Sequence, residues 1–264
     1  MSVPLRLSAS IVTYHPDPGL LQLCLESFRQ ATDHCESTLD WALTVVDNGG
    51  NDIGNSVYDD ERVTWVKNPA NVGYGQAHNQ IIRTADSTYH LIMNPDVILD
   101  PECLAIMISC LETNPAISLA GPRGLLPNGC DAHLCKRYPS ILDLALRGFA
   151  PGVIKQHMNH RLSRYQYDDI PTTGCHDVEL VSGCFMLART GKLQQAGGFD
   201  PRFFLYFEDF DLSLAMAQQG QVVSISDATI NHHGGNAARK GPKHLYYFCQ
   251  SAFRFFNKHH WKLA

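Results

Sequence analysis

Apolar, β-branched segments alternate with helix-patterned segments through the first 120 residues, and three of the apolar segments stop abruptly on polar residues. Ser8–Tyr14 (SASIVTY) ends at His15-Pro16-Asp17-Pro18. Asp17 is placed to cap the helix that follows, with Pro18 suited to its first position, and Leu20, Leu21, Cys24, Leu25 and Phe28 give that helix an apolar stripe. Trp41–Val46 ends at Asp47-Asn48-Gly49-Gly50, and Val63–Val66 reads as a third strand. The turn Asn71-Val72-Gly73-Tyr74-Gly75 leads into a helix through Ala77, Ile81 and Ile82. Tyr89–Met93 is cut by Asn94-Pro95-Asp96, and a helix over Pro101–Leu111 and a strand at Ile117–Ala120 follow. Such alternation predicts an α/β fold with a mostly parallel sheet and right-handed crossovers.

The second half is less regular. From about Pro122 to Thr173 the chain is rich in Gly, Pro, Arg, His and Tyr, and it reads as a long excursion over the sheet with one short helix near Leu142–Leu146. Val178–Ala188 reads as a strand with Ser182-Gly183 in its middle, Phe207–Gln219 as a helix closed by Gly220, and Val222–Ile225 as a strand. The tail from Lys243 to Trp261 has helical period and mixes aromatic with basic residues. Two readings of it stand: its aromatics cover the underside of the sheet, or its exposed face rests on anionic lipid. With no repeat or low-complexity linker, a single domain is expected.

Composition excludes several classes. Of 264 residues, 44% are hydrophobic, enough for a large core and too many for a disordered chain. A net charge of −5 speaks against a general nucleic-acid binder, which needs a basic surface. The longest apolar run, Cys103–Leu111, falls short of the ~18 residues of a membrane span, and the N-terminus lacks the pattern of a secretory signal. The nine cysteines form no C-x-x-C pair, so neither a disulfide framework nor a zinc ribbon is indicated. A cytoplasmic, soluble protein is expected.

In open parallel sheets, ligands bind where the strands end at their carboxyl side. Thr13 and Tyr14, Asp47 and Asn48, and Asn94 and Asp96 occupy those ends. A carboxylate just past an apolar strand needs a partner: a metal, a base edge, a sugar hydroxyl or a loop it caps. No complete G-x-G-x-x-G, P-loop or G-x-S-x-G motif is present. In Gly197–Leu212 (GGFDPRFFLYFEDFDL), Glu208, Asp209 and Asp211 sit at a helix start among aromatics. Dipole compensation explains one or two of these acids, whereas burial among aromatics would raise a carboxylate toward the pKa of a useful base. Asn231-His232-His233-Gly234-Gly235 offers a histidine able to reach a metal held by Asp96.

With these segments in view, the chain resembles the inverting, nucleotide-sugar-dependent glycosyltransferases of family 2. The resemblance rests on SIVTYHP (10–16), VVDNGG (45–50), NVGYGQAHN (71–79), MNPDV (93–97), the stretch from SGCFMLARTG to GGFDPRFFLYFEDFDL (182–212) and the histidine-glycine motif at 232–235. It implies a GT-A, Rossmann-like fold with a mixed, mostly parallel sheet flanked by helices. Residues 1–121 would form the nucleotide-sugar-binding half, 122–242 the acceptor and catalytic half, and 243–264 an aromatic and basic helix. Thr13, Tyr14 and Asp47 look like the wall for base and ribose, Asn71, Gly73 and Gly75 like the turn beside the nucleotide, and Asn79 like a polar group facing the same cleft. Asn94-Pro95-Asp96 stands where many relatives have Asp-x-Asp, the motif for a divalent cation (Mg2+ or Mn2+), so only Asp96 is a certain carboxylate ligand. His232, with His233 as a second candidate, looks like the histidine completing that site. Asp209 matches the catalytic base, Glu208 would orient the acceptor, and Ser182 and Gly183 would line the acceptor side.

The N-P-D form is similar to that of bacterial rhamnosyltransferases of O-antigen and lipopolysaccharide assembly. It implies a dTDP-L-rhamnose donor, a glycan or lipid-linked glycan acceptor, and peripheral contact with the cytoplasmic face of the inner membrane. Another donor (UDP- or GDP-linked) and a metal-dependent nucleotide-diphosphate enzyme such as a nucleotidyltransferase stay open.

Overall fold

The computed structural model describes residues 5–35, 39–50, 57–234 and 241–264. Its first half comprises β1 (Arg6–Thr13), α1 (Pro18–Asp33), β2 (Asp40–Asp47), β3 (Val63–Lys67), α2 (Tyr74–Ile82), β4 (Tyr89–Met93), β5 (Val97–Leu99) and α3 (Cys103–Thr113). Asp17 caps α1 by accepting the N–H groups of Gly19 and Leu20, and Pro18 is the first helical residue. The expected stripe, through Leu21, Cys24, Leu25 and Phe28, is buried with Trp41 against the sheet.

The second half comprises β6 (Ile117–Leu125), β7 (Cys135–Lys136), α4 (Ile141–Phe149), α5 (Gly152–His157), α6 (Asn159–Gln166), β8 (Cys175–Asp177), β9 (Leu180–Val181), β10 (Phe185–Arg189), α7 (Thr190–Gln195), α8 (Glu208–Ala217), β11 (Gln221–His232) and α9 (Pro242–Lys258). Nine strands share one sheet, ordered β3-β2-β1-β4-β10-β6-β11-β5 with β8 on β11; β7 and β9 pair separately. β1, β2, β3, β4, β6 and β11 run one way, while β10, β5 and β8 run against them. The sheet is therefore mixed and mostly parallel, and it spans both halves of the chain. The pleat sends Leu91, Met93 and Leu187 into the layer under α1 and α3. It sends Ile92 and Met186 into a second layer with Phe199, Leu212 and Met216.

Three elements differ from the sequence-based expectation. The strand expected over Val178–Ala188 is two strands, broken at Ser182–Cys184, and β10 inserts antiparallel between β4 and β6. The excursion from Pro122 carries α4, α5 and α6 rather than one helix. The tail helix α9 does not cover the underside of the sheet. Phe255 and Phe256 pack on Tyr138, Phe203 and Phe207, and Asp211 of α8 is held by Lys258 at 2.7 Å and His259 at 2.8 Å. Among the described residues, no helix is long and apolar enough to cross a membrane.

Candidate active site

Parallel register aligns the strand ends: Thr13 stands opposite Asp47, and Ile11 opposite Met93. Asp47 is 5% exposed; Oδ1 accepts the Gly49 N–H at 2.7 Å, while Oδ2 is buried without a partner. An unsatisfied carboxylate oxygen at that edge is an acceptor waiting for a ligand N–H or O–H. Thr13 is buried beside it, and Tyr14 projects outward at 56% exposure with its ring edge-on to His15. Asn71 shapes the neighbouring turn by accepting the Gly73 N–H at 2.9 Å. Gly73 has φ +91°, and a Cβ there would lie 2.6 Å from the Phe204 carbonyl. The turn is thus fitted against the segment that precedes α8.

Asn79 does not face the cleft. It is buried, and its amide spans Phe199, donating to the carbonyl at 2.7 Å and accepting the N–H at 2.9 Å. With both arms committed to a backbone that no sheet partner satisfies, it clamps α2 to the second half of the chain.

At the next strand end, the Asn94 N–H donates to the Cys184 carbonyl at 2.8 Å, which ties this loop to the break before β10. β11 pairs with β5 so that His232 stands opposite Val97, and this brings His232 Nε2 to 3.5 Å from Asp96 Oδ1. The His233 N–H donates to the Asp96 carbonyl, so His232 is the histidine whose ring meets the carboxylate. Gly234 keeps the space between them open: a Cβ there would lie 2.1 Å from Asp96 Oδ2 and 2.9 Å from His232 Nε2. Gly235 lies outside the described residues. A carboxylate and an imidazole around a space that only glycine leaves fit a hard divalent ion such as Mg2+ or Mn2+. Among the described residues, no three His, Cys, Asp or Glu side chains converge. The protein would therefore supply two donors, Asp96 and His232.

The acids at 208–209 are presented by a strained entry. Tyr206 and Phe207 have φ of 70° and 63°, a conformation that bulky residues rarely hold. Aromatic packing of Phe207 on Phe210, Phe248 and Phe255 holds it there. Glu208 is buried with Oε2 lacking a partner, and burial together with the Asp209 charge holds its carboxyl well above the usual range. Asp209 is only half-buried. Burial raises its pKa, while N–H groups of Gly183 and Phe210, each at 2.9 Å, and the charge of Arg147 oppose that rise. Burial thus raises both carboxyls, and the two N–H groups favour the charged form of Asp209.

Ser182 and Gly183 lie where the sheet opens. The Ser182 N–H donates to the Leu134 carbonyl, and Gly183 holds Asp209. Tyr74 is a further residue of the site, one that the strand ends and acids do not mark. Its hydroxyl donates to the Gly183 carbonyl at 2.5 Å while its ring meets His78 and Phe199 edge-on, so the glycine turn reaches the base through one residue. Its position inside NVGYGQAHN was the signal available.

Residues 8–190 match the family model described as glycosyl transferase family 2. The chain belongs to that family. It is 27% identical over 266 residues, 94% of this chain and 83% of the relative, to the N-acetylglucosaminyl-diphospho-decaprenol L-rhamnosyltransferase of Mycobacterium tuberculosis. It is also 27% identical to the rhamnosyltransferase WbbL of Escherichia coli, over 56% of each chain. Among solved structures it is similar to GalNAc-T7 with UDP, GalNAc and Mn2+ (TM-score 0.63, 12% identity, 90% of this chain and 45% of that one). It is likewise similar to the mannosyltransferase PcManGT of Pyrobaculum calidifontis with GDP-Man and Mn2+ (TM-score 0.61, 17% identity, 96% and 65%). The chain thus spans less than two thirds of either solved protein. The fold is GT-A, and this family 2 member is a glycosyltransferase.

Proposed function

We propose that the enzyme transfers L-rhamnose from dTDP-L-rhamnose, with inversion, to a hydroxyl of a lipid-linked glycan in bacterial surface-polysaccharide synthesis. The observation that carries this reading is the Glu208–Asp209 pair: a buried acid whose carboxyl is pushed well up, beside a half-buried one held by two backbone N–H groups. Inversion needs one base opposite the leaving group. Asp209 takes the acceptor proton as that oxygen attacks the anomeric carbon, and Glu208, neutral, donates a hydrogen bond that orients the acceptor. On the donor side, Asp47 Oδ2 accepts from the nucleotide, with Thr13 and Tyr14 as the wall beside it and the turn at Asn71 and Gly73 closing the cleft. Asp96 and His232 would hold a divalent cation, which would supply positive charge to the departing diphosphate. Asn94, Ser182 and Gly183 complete the loops between cation and base. The rhamnose assignment draws on the two rhamnosyltransferase relatives.

Residues 1–264 act as one catalytic unit, and α9 supplies a peripheral contact with the cytoplasmic face of the inner membrane. Phe253 on α9 and Trp261 and Leu263 beyond its end stay exposed, and Arg254 and Lys262 lie next to them in sequence. A thermal-shift panel of dTDP-, UDP- and GDP-sugars with and without Mn2+ tests the donor, because a native-state ligand raises the midpoint by mass action. A response to dTDP-rhamnose is expected, and a response to GDP-sugars alone overturns that donor. Asp209→Asn should abolish transfer while retaining the donor shift; wild-type turnover in that variant would remove Asp209 as the base.

A further inference from the structure

Pro122 interrupts the pairing of β6 with β11. It has no N–H to give the ladder, and the register passes from Ile225 opposite Pro122 to Thr229 opposite Arg123, so Ser226, Asp227 and Ala228 have no partners on β6. A bulge of this kind re-aims side chains and is common beside binding sites. Asp227 is used structurally, its Oδ2 accepting the Gly174 N–H at 2.8 Å. Beside the bulge lies a cavity of about 210 Å³, walled by the end of β6, by β7 with the residues before it, and by the loop that follows α6. Ser226 lines it at 5% exposure, and its hydroxyl has no hydrogen-bond partner among the described residues. The Gln166 amide and the Thr172 hydroxyl, also in the lining, are likewise unpartnered there. A buried hydroxyl left without a partner points to a ligand that supplies one.

The charges in the wall are matched within it. Arg123 meets Asp131 at 3.2 Å, Asp131 also accepts the His133 N–H at 2.6 Å, and His133 Nδ1 faces Asp168 at 3.0 Å. The lining therefore offers no unpaired cation for an anion, while its carboxylates, amide and hydroxyls match the donors and acceptors of a neutral, hydroxyl-rich ring. The volume lies below the roughly 300–1,000 Å³ of sites for drug-sized molecules, which suits one sugar ring and not a nucleotide sugar. Two links place the cavity beside the reaction. Leu134, in its wall, accepts the Ser182 N–H at 2.8 Å, and the next residue, Gly183, donates to Asp209 at 2.9 Å. Cys135, also in the wall, pairs with Val181, so one strand spacing, ~4.8 Å, separates that wall from the strand leading to the base. On the other side, β6 runs on from Arg123 and Gly124 to Leu125, which stands opposite Asn231, the residue before His232. In the sheet order, β6 and β11 lie on the half away from β2, which carries Asp47, so the cavity is on the acceptor side.

We propose that this cavity holds a second, non-reacting sugar of the acceptor, so that the glycan receiving the new residue already contains at least two sugars. The inference rests on the transferase reading of Asp209 and names what that reading leaves open. The acceptor must then be the product of an earlier glycosyl transfer, and the cavity, rather than the base, selects among acceptors of different sequence.

The test is ligand-observed saturation-transfer NMR on the full chain, using the methyl glycosides of glucose, galactose, mannose, rhamnose, N-acetylglucosamine and N-acetylgalactosamine, with dTDP, UDP and GDP in excess to fill the donor side. At least one glycoside should bind wild type. Its signal should be lost in Ser226→Leu, which fills the cavity from within, and in Thr172→Trp, which covers it from the rim. No binding by wild type, or binding that persists in either folded variant, overturns the subsite. Thr172 is exposed, so its variant decides the matter even where Ser226→Leu fails to fold. In transfer assays the same variants should raise acceptor KM about 10-fold or more, and an unchanged acceptor KM overturns the link to the acceptor. Glycoside binding that is lost in the variants, with no transfer by wild type from any donor, would keep the cavity as a sugar site and remove the transferase reading instead.

Discussion

Gly234→Ala puts a Cβ 2.1 Å from Asp96 Oδ2 and 2.9 Å from His232 Nε2. Real Cβ atoms do not approach a neighbour closer than 3.0 Å, so the carboxylate oxygen must move by about 0.9 Å. Gly234 has no positive φ, which confines the lesion to that gap rather than to the backbone. Functional side chains must hold their geometry within about 0.5 Å, so a displacement of this size removes Asp96 as a ligand in its present position. Disturbing the outer partners of a metal site already costs about 10–100-fold in affinity, or about 1.4–2.7 kcal/mol, and displacing a ligand should cost at least as much. The assay is a Mn2+ titration of sugar transfer, paired with Mn2+ binding read by electron paramagnetic resonance in the presence of nucleoside diphosphate. Half-saturation should rise 10–100-fold in both readouts, while thermal stability stays within the ±0.5 kcal/mol expected of a change that touches no core packing. A stable Gly234→Ala protein with a wild-type Mn2+ titration would refute the assignment of Asp96 and His232 to the cation.

Tyr74→Phe keeps the ring on His78 and Phe199 but leaves the Gly183 carbonyl without its donor, a loss of about 1–3 kcal/mol. Expected is a fall in kcat with little change in donor KM, together with an acid limb moved to higher pH as Gly183 loosens from Asp209; an unchanged pH profile would count against Tyr74 as the residue that aims the base. In wild type, kcat/KM should be lost as pH falls through the Asp209 pKa. Because burial raises that pKa, the loss should begin above the ordinary aspartate range, and a rate flat down to pH 4 would contradict it. Asn79→Ala strips the Phe199 N–H and carbonyl of their partners, so unfolding stability should drop by about 1–3 kcal/mol; a change under 0.5 kcal/mol in urea denaturation would show that solvent satisfies both groups.

Strand ends were legible because each is written locally. A β-branched run meets Asp47-Asn48-Gly49 or Asn94-Pro95-Asp96, and the chain can do little there but turn. The donor edge follows from that, whereas the acidic pair at 208–209 is marked by three acids at a helix start among aromatics and takes its role from the family resemblance. Asn79 misled because an amide inside a motif looks the same whether it faces ligand or backbone, and its commitment to Phe199 depends on a contact 120 residues away. The excursion hid three helices because α5 and α6 are six and eight residues long, too short to show a period. The strain at Tyr206 and Phe207 carries no glycine to announce it.

The break between β9 and β10 has a geometric consequence. Gly183 donates to the base, its own carbonyl accepts from Tyr74, and the next carbonyl, that of Cys184, accepts from Asn94 at the cation loop. Two consecutive residues, whose Cα atoms are about 3.8 Å apart across a trans peptide, thus gauge the separation between the proton acceptor and the leaving group. Donors with bulkier sugars would have to be admitted by reshaping the turn at 71–75, since sliding the base outward would break the gauge.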